Sequence, residues 1–96
     1  MDTPRYETLS RTTTQLGEAF YKCLSGWLAD PLNTKQRKTC LEQGHRYEAV
    51  LVEQIEYLKS LPRTPRTTAA IENCQTYYTA LESQIKLLER AFKSGH

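Results

Sequence analysis

The chain has 96 residues, 13 basic against 11 acidic side chains, and a formal net charge of +2. That length fits one domain, residues 1–96, and leaves no room for a second. With 39% hydrophobic and 25% charged residues, the composition is that of a folded protein, and no run approaches the roughly 18 apolar residues of a membrane span.

The opening Met1-Asp2-Thr3-Pro4-Arg5-Tyr6-Glu7 has no apolar h-region. No signal peptide is therefore expected, no membrane contact follows, and the cytoplasm is the default compartment. Three cysteines, Cys23, Cys40 and Cys74, fall on apolar stripes without a Cys-x-x-Cys pair. That pattern predicts buried, reduced thiols.

The first helix is expected over about 4–29. Thr3-Pro4-Arg5 reads as a start, with Thr at the N-cap and Pro at the first helical position. Tyr6, Leu9, Thr13, Leu16, Phe20, Cys23 and Trp27 keep helical spacing on one face, and Leu24 and Leu28 widen it. Thr12, Thr13 and Thr14 make the first half the softer half. Asp30-Pro31 stops the helix, because the residue before Pro is pushed out of the helical region.

The second helix is expected over about 34–61. Asn33 with Gln36 three residues later has the pattern of a capping box. Its stripe is Cys40, Gly44, Tyr47, Leu51, Ile55, Leu58 and Leu61, with Leu41 and Val52 on one flank and Val50 and Tyr57 on the other. So broad an arc suits a helix packed between two neighbours. Leu61-Pro62 ends it.

Thr64-Pro65-Arg66 repeats the start signal, and the third helix is expected over about 65–93. Ile71, Cys74, Tyr78, Leu81, Ile85, Leu88 and Phe92 are spaced alternately three and four apart, a heptad seam held for three repeats. Such a helix is about 45 Å long and needs apolar partners of matching length.

Three long helices with two short connections predict an all-α fold: an antiparallel up-down-up three-helix bundle. A long open hairpin that dimerises is the alternative. Folding the first hairpin between Asp30 and Asn33 sets Cys23 level with Cys40, Phe20 with Gly44, and Leu16 with Tyr47. Folding the second near Arg63 sets Leu51 level with Cys74 and Tyr77, Tyr47 with Tyr78 and Leu81, and Cys40 with Leu88. Gly44 costs about 1 kcal/mol of helix propensity, and a ring opposite it gives that cost a reason.

No catalytic, cofactor-binding or metal-binding residue is expected. There is no Gly-rich phosphate loop, no Ser/His/Asp set and no Glu-x-x-His pair. Glu53 and Glu56 read as a solvated face. The two histidines, His45 and the terminal His96, lie away from the thiols. Cys40 follows Lys35, Arg37 and Lys38, whose charge favours a thiolate, yet its position belongs to the core.

Two surface features remain. Positive charge gathers at the ends: Arg63, Arg66, Arg5 and Arg11 at one, Lys35, Arg37, Lys38, Arg90 and Lys93 at the other. The pI near 8.5 is low for a dedicated nucleic-acid domain. Apolar residues gather at the stripe edges: Tyr21, Leu28, Val50, Tyr57, Tyr77 and Leu87. With six tyrosines in the chain, they read as a contact surface, since Tyr is enriched where proteins meet. The expected function is a small non-enzymatic protein–protein interaction module, either an adaptor or an inhibitor or regulator of a larger protein. The partner is another protein, or a second copy in a homo-oligomer. A nucleic-acid-binding accessory protein using the basic ends is the alternative.

Overall fold

The computed structural model describes the backbone of residues 3–94 and the side chains of residues 6–90. The expected roles of Thr3, Pro4, Arg5, Phe92, Lys93 and His96 fall outside the described side chains. Three helices follow one another: α1 (Thr3–Ala29), α2 (Thr34–Lys59) and α3 (Pro65–Ser94). They form an antiparallel three-helix bundle whose Cα atoms extend 49 × 20 × 16 Å.

Local chemistry sets the ends. Asn33 takes an extended conformation, and its side chain accepts from the Gln36 backbone N–H. Thr64 caps α3 in the same way, with its hydroxyl accepting from the Thr67 N–H at 3.1 Å. Helix α2 stops at Lys59, two residues before the expected end. The Ser60 N–H closes the last turn onto Glu56 and Tyr57, and its hydroxyl donates to the Tyr57 carbonyl. Ser competes for backbone partners in this way and favours helix ends.

Helix α2 is the central member. Among the described residues, its backbone approaches both α1 and α3, whereas no Cα of α1 lies within 8 Å of a Cα of α3. Side chains of the two outer helices converge on α2. Phe20 and Ile85 converge on Gly44: a Cβ there would stand 3.0 Å from the Phe20 ring and 3.2 Å from Ile85 Cγ1. The missing side chain lets all three helices share one layer.

The core is in two parts. Phe20, Cys23, Leu24, Trp27, Cys40, Tyr47, Leu51, Leu81, Ile85 and Leu88 form the larger cluster. Ile55, Leu58, Ile71 and Cys74 form the smaller one towards the α2–α3 turn. Tyr78 packs against both. A polar pair lies alongside the smaller cluster: Thr13 donates to Oε1 of buried Gln54 at 2.8 Å.

Candidate functional site

The helix edges and the α1–α2 end hold the groups that can act. Leu28 and Leu87 are about half exposed, Tyr77 is 55% exposed, and Tyr21 is more covered. Leu32, in the turn after Pro31, is 91% exposed. Pro31 fixes its own φ and the next helix starts at Thr34, so Leu32 has no helix face to turn inward.

The six expected contact residues do not form one face. Tyr21 and Leu28, seven residues apart, share one edge of α1. The Tyr21 ring sits 6.4 Å from that of Tyr47, centroid to centroid, and edge-on to Phe20 at 5.3 Å. Tyr47 also presses on Gly17, where a Cβ would be 3.1 Å from its ring and hydroxyl. Burial first, then Tyr21, Tyr77 and Cys74, push the Tyr47 phenol up. Tyr21 of α1 thus packs beside the Tyr47 ring of α2, while Tyr77 of α3 acts on the same phenol by its charge. Leu87 is about 80° further round α3 than Tyr77 and belongs to its outer face. Val50 and Tyr57 are half-buried, on the flank of α2 that meets α1. The Tyr57 ring stacks on Tyr6 with centroids 6.3 Å apart.

The basic residues also divide. Arg63 and Arg66 are exposed at the α2–α3 turn, and Lys35 and Lys38 at the start of α2. Arg37 is only 7% exposed. It stands three residues before Cys40, on the buried stripe of α2, and its methylenes suit that position. Thr34, Lys35, Arg37, Lys38 and Leu41 line an open, mainly apolar groove of about 540 Å³. The end of α1 and the turn after it thus carry the exposed leucines, and the start of α2 carries two exposed lysines beside an apolar depression.

Beneath this end lies a thiol pair. Cys23 of α1 and Cys40 of α2 are free, buried, and 2.9 Å apart at sulfur, with the Cys40 thiol donating. Gln36 covers Cys23: its amide nitrogen donates to the Cys23 carbonyl at 3.2 Å and to its sulfur at 3.3 Å. The capping box is therefore only half formed, because the Gln36 side chain reaches α1 instead of returning to Asn33. Burial, the hydrogen bond to Cys23 and that residue's charge push the Cys40 thiol from 9.0 up to about 12. The cationic activation that Lys35, Arg37 and Lys38 offered from sequence is outweighed. Cys74 lies in the smaller cluster, where burial pushes its thiol up.

Other titrating and polar groups stay dispersed. Glu82 first, then burial and Glu48, push the Tyr78 phenol up. His45 faces Glu48 at 3.6 Å on the surface. Trp27 Nε1, Gln43 Oε1 and Gln84 Oε1 are buried and meet no partner among the described residues. Among the described residues, no three His, Cys, Asp or Glu side chains gather to hold a metal, and no helix is long and apolar enough to cross a membrane.

No protein family, no curated protein and no solved structure matches the chain.

Proposed function

We propose that this chain is a small non-enzymatic interaction module that regulates or adapts a larger protein. One observation carries the reading: Leu28 and Leu32 are exposed four residues apart at the α1–α2 end, beside Lys35 and Lys38. Single exposed leucines are ordinary. Two at one tip, followed in the chain by exposed Lys35 and Lys38, have the make-up of a binding surface with an apolar centre and a charged rim. The complementary partner is a protein surface with an apolar pocket and acidic edges. Tyr21, on the same edge of α1 as Leu28, extends the contact along that helix. The free thiols favour the cytoplasm as its setting.

The test is capture of partners by the immobilised full chain from an extract of its native cells. A protein bound by the wild type in high salt, and lost with Leu28→Ser/Leu32→Ser, supports the reading. Capture of nucleic acid that weakens steeply with salt favours the accessory nucleic-acid role of the basic ends instead. Self-association that the same substitutions abolish assigns the surface to a second copy.

A further inference from the structure

We propose that Cys23 and Cys40 are an oxidisable pair that closes into a disulfide, fastening α1 to α2 beneath the exposed leucine tip. The geometry is already close. The two sulfurs are 2.9 Å apart, and a disulfide needs about 2.05 Å, within reach of small side-chain rotations. The cysteines stand level across a hairpin whose turn is only residues 30–33, so no backbone segment has to travel.

The two thiols have different roles. Cys40 is fully buried and holds its proton tightly, whereas Cys23 is covered on one side by the Gln36 side chain, which can move. Cys23 is therefore the sulfur that meets an outside reagent. That reagent is a small disulfide such as oxidised glutathione. The Cys23 thiol loses its proton, and its sulfur attacks one glutathione sulfur, expelling the first glutathione thiolate. Cys40 then loses its proton and attacks the Cys23 sulfur, expelling the second. The protein gives up two protons and two electrons, and one oxidised glutathione becomes two reduced ones.

Gln36 controls access. Its amide group covers the Cys23 sulfur and carbonyl, so the mixed disulfide forms when this side chain swings away. The device thus has a lid on the entry thiol, a resolving thiol beneath it, and a third cysteine placed out of reach.

The experiment incubates the full chain in glutathione redox buffers, quenches it by acid, and maps cysteines by mass spectrometry. The expected product is a Cys23–Cys40 disulfide with Cys74 still free. Its equilibrium constant should exceed that of a Cys23–Cys40 link in the urea-unfolded chain by about 100-fold, because loop closure is already made in the folded state. Cys40→Ser should stop at a glutathione adduct on Cys23, and Gln36→Ala should oxidise faster than wild type. Three results would each overturn the proposal: a stable glutathione adduct on wild-type Cys23, a link that includes Cys74, or no gain over the unfolded chain.

Discussion

Gly44 of α2 faces Phe20 of α1 so closely that a single added methyl would stand 3.0 Å from the ring. Ile85 closes the other side at 3.2 Å, and both neighbours are buried. Gly44→Ala gains about 1 kcal/mol of helix propensity. It loses about 1–3 kcal/mol by overpacking two side chains that cannot move away. The expected net loss is about 1 kcal/mol, read as a lower urea midpoint by circular dichroism. Phe20→Leu in the same chain should restore part of it. Gly26 is the contrast, since its added methyl would meet only the flexible end of Gln36, at 3.2 Å. Gly26→Ala should stabilise by about 0.5–1 kcal/mol. If both alanines shift stability in the same direction, the packing account fails.

Thr13 and Gln54 give a second measurement. The Thr13 hydroxyl lies 2.7 Å from the Leu9 carbonyl as well as 2.8 Å from Gln54 Oε1. Thr13→Val keeps the shape and deprives a buried amide oxygen of its donor, at a cost of about 1–2 kcal/mol. Adding Gln54→Leu removes the orphaned oxygen and should recover most of that loss. A double-mutant cycle with no coupling between the two positions would refute the pairing.

Alkaline pH should unfold the protein. An ordinary thiol loses its proton near 9.0, while folded Cys40 keeps it to about 12. Between these values the folded state binds more protons than the unfolded one. Stability is therefore fully present below about pH 9 and falls as pH rises towards 12. Tyr47 and Cys74, both pushed up by burial, act with the same sign. Under reducing conditions the urea midpoint should decline above pH 9, and Cys40→Ala should decline less steeply from a lower starting point. Equal slopes would remove Cys40 from the account.

The exposed residues should be separable from the fold. Leu28→Ser, Leu32→Ser and Tyr77→Ser each remove a largely exposed side chain and should change stability by less than about 0.5 kcal/mol. Leu24→Ser, in the buried cluster, should cost several times more. Thermal melts followed by circular dichroism separate the two sets. A large loss at Leu28, Leu32 or Tyr77 would mean that these residues serve the core.

Much of the bundle was legible because heptad spacing and two short turns leave little freedom of register. Cys23 meets Cys40 and Phe20 meets Gly44, as a hairpin folded at Asp30–Asn33 requires, and across the turn at Arg63 the side chain of Ile85 reaches Gly44. The polar members of the stripes were harder to see. Extending the three-and-four spacing of α2 back from Cys40 reaches Arg37, and forward from Leu51 reaches Gln54. Residue type argued for the surface in both cases, and position prevailed. The contact surface was legible only in part. A helical wheel gives an angle about one axis; it does not say whether a neighbour covers that angle. So Tyr57 found Tyr6, while Leu28 and Leu87 stay about half exposed. Leu32 escaped notice because a turn residue has no wheel position.

The central place of α2 has a consequence for how the chain opens and assembles. Each outer helix is held mainly from one side, so either can detach while a hairpin of the other two persists. Amide protons of α2 should then exchange with solvent only in the fully unfolded chain. Those of α1 and α3 gain additional, less costly openings. Assembly runs in reverse along two routes, α1 onto α2 or α3 onto α2, and both pass through short-range hairpins of the kind that form fast. Fastening Cys23 to Cys40 would close one of these routes to opening and leave α3 as the element that breathes.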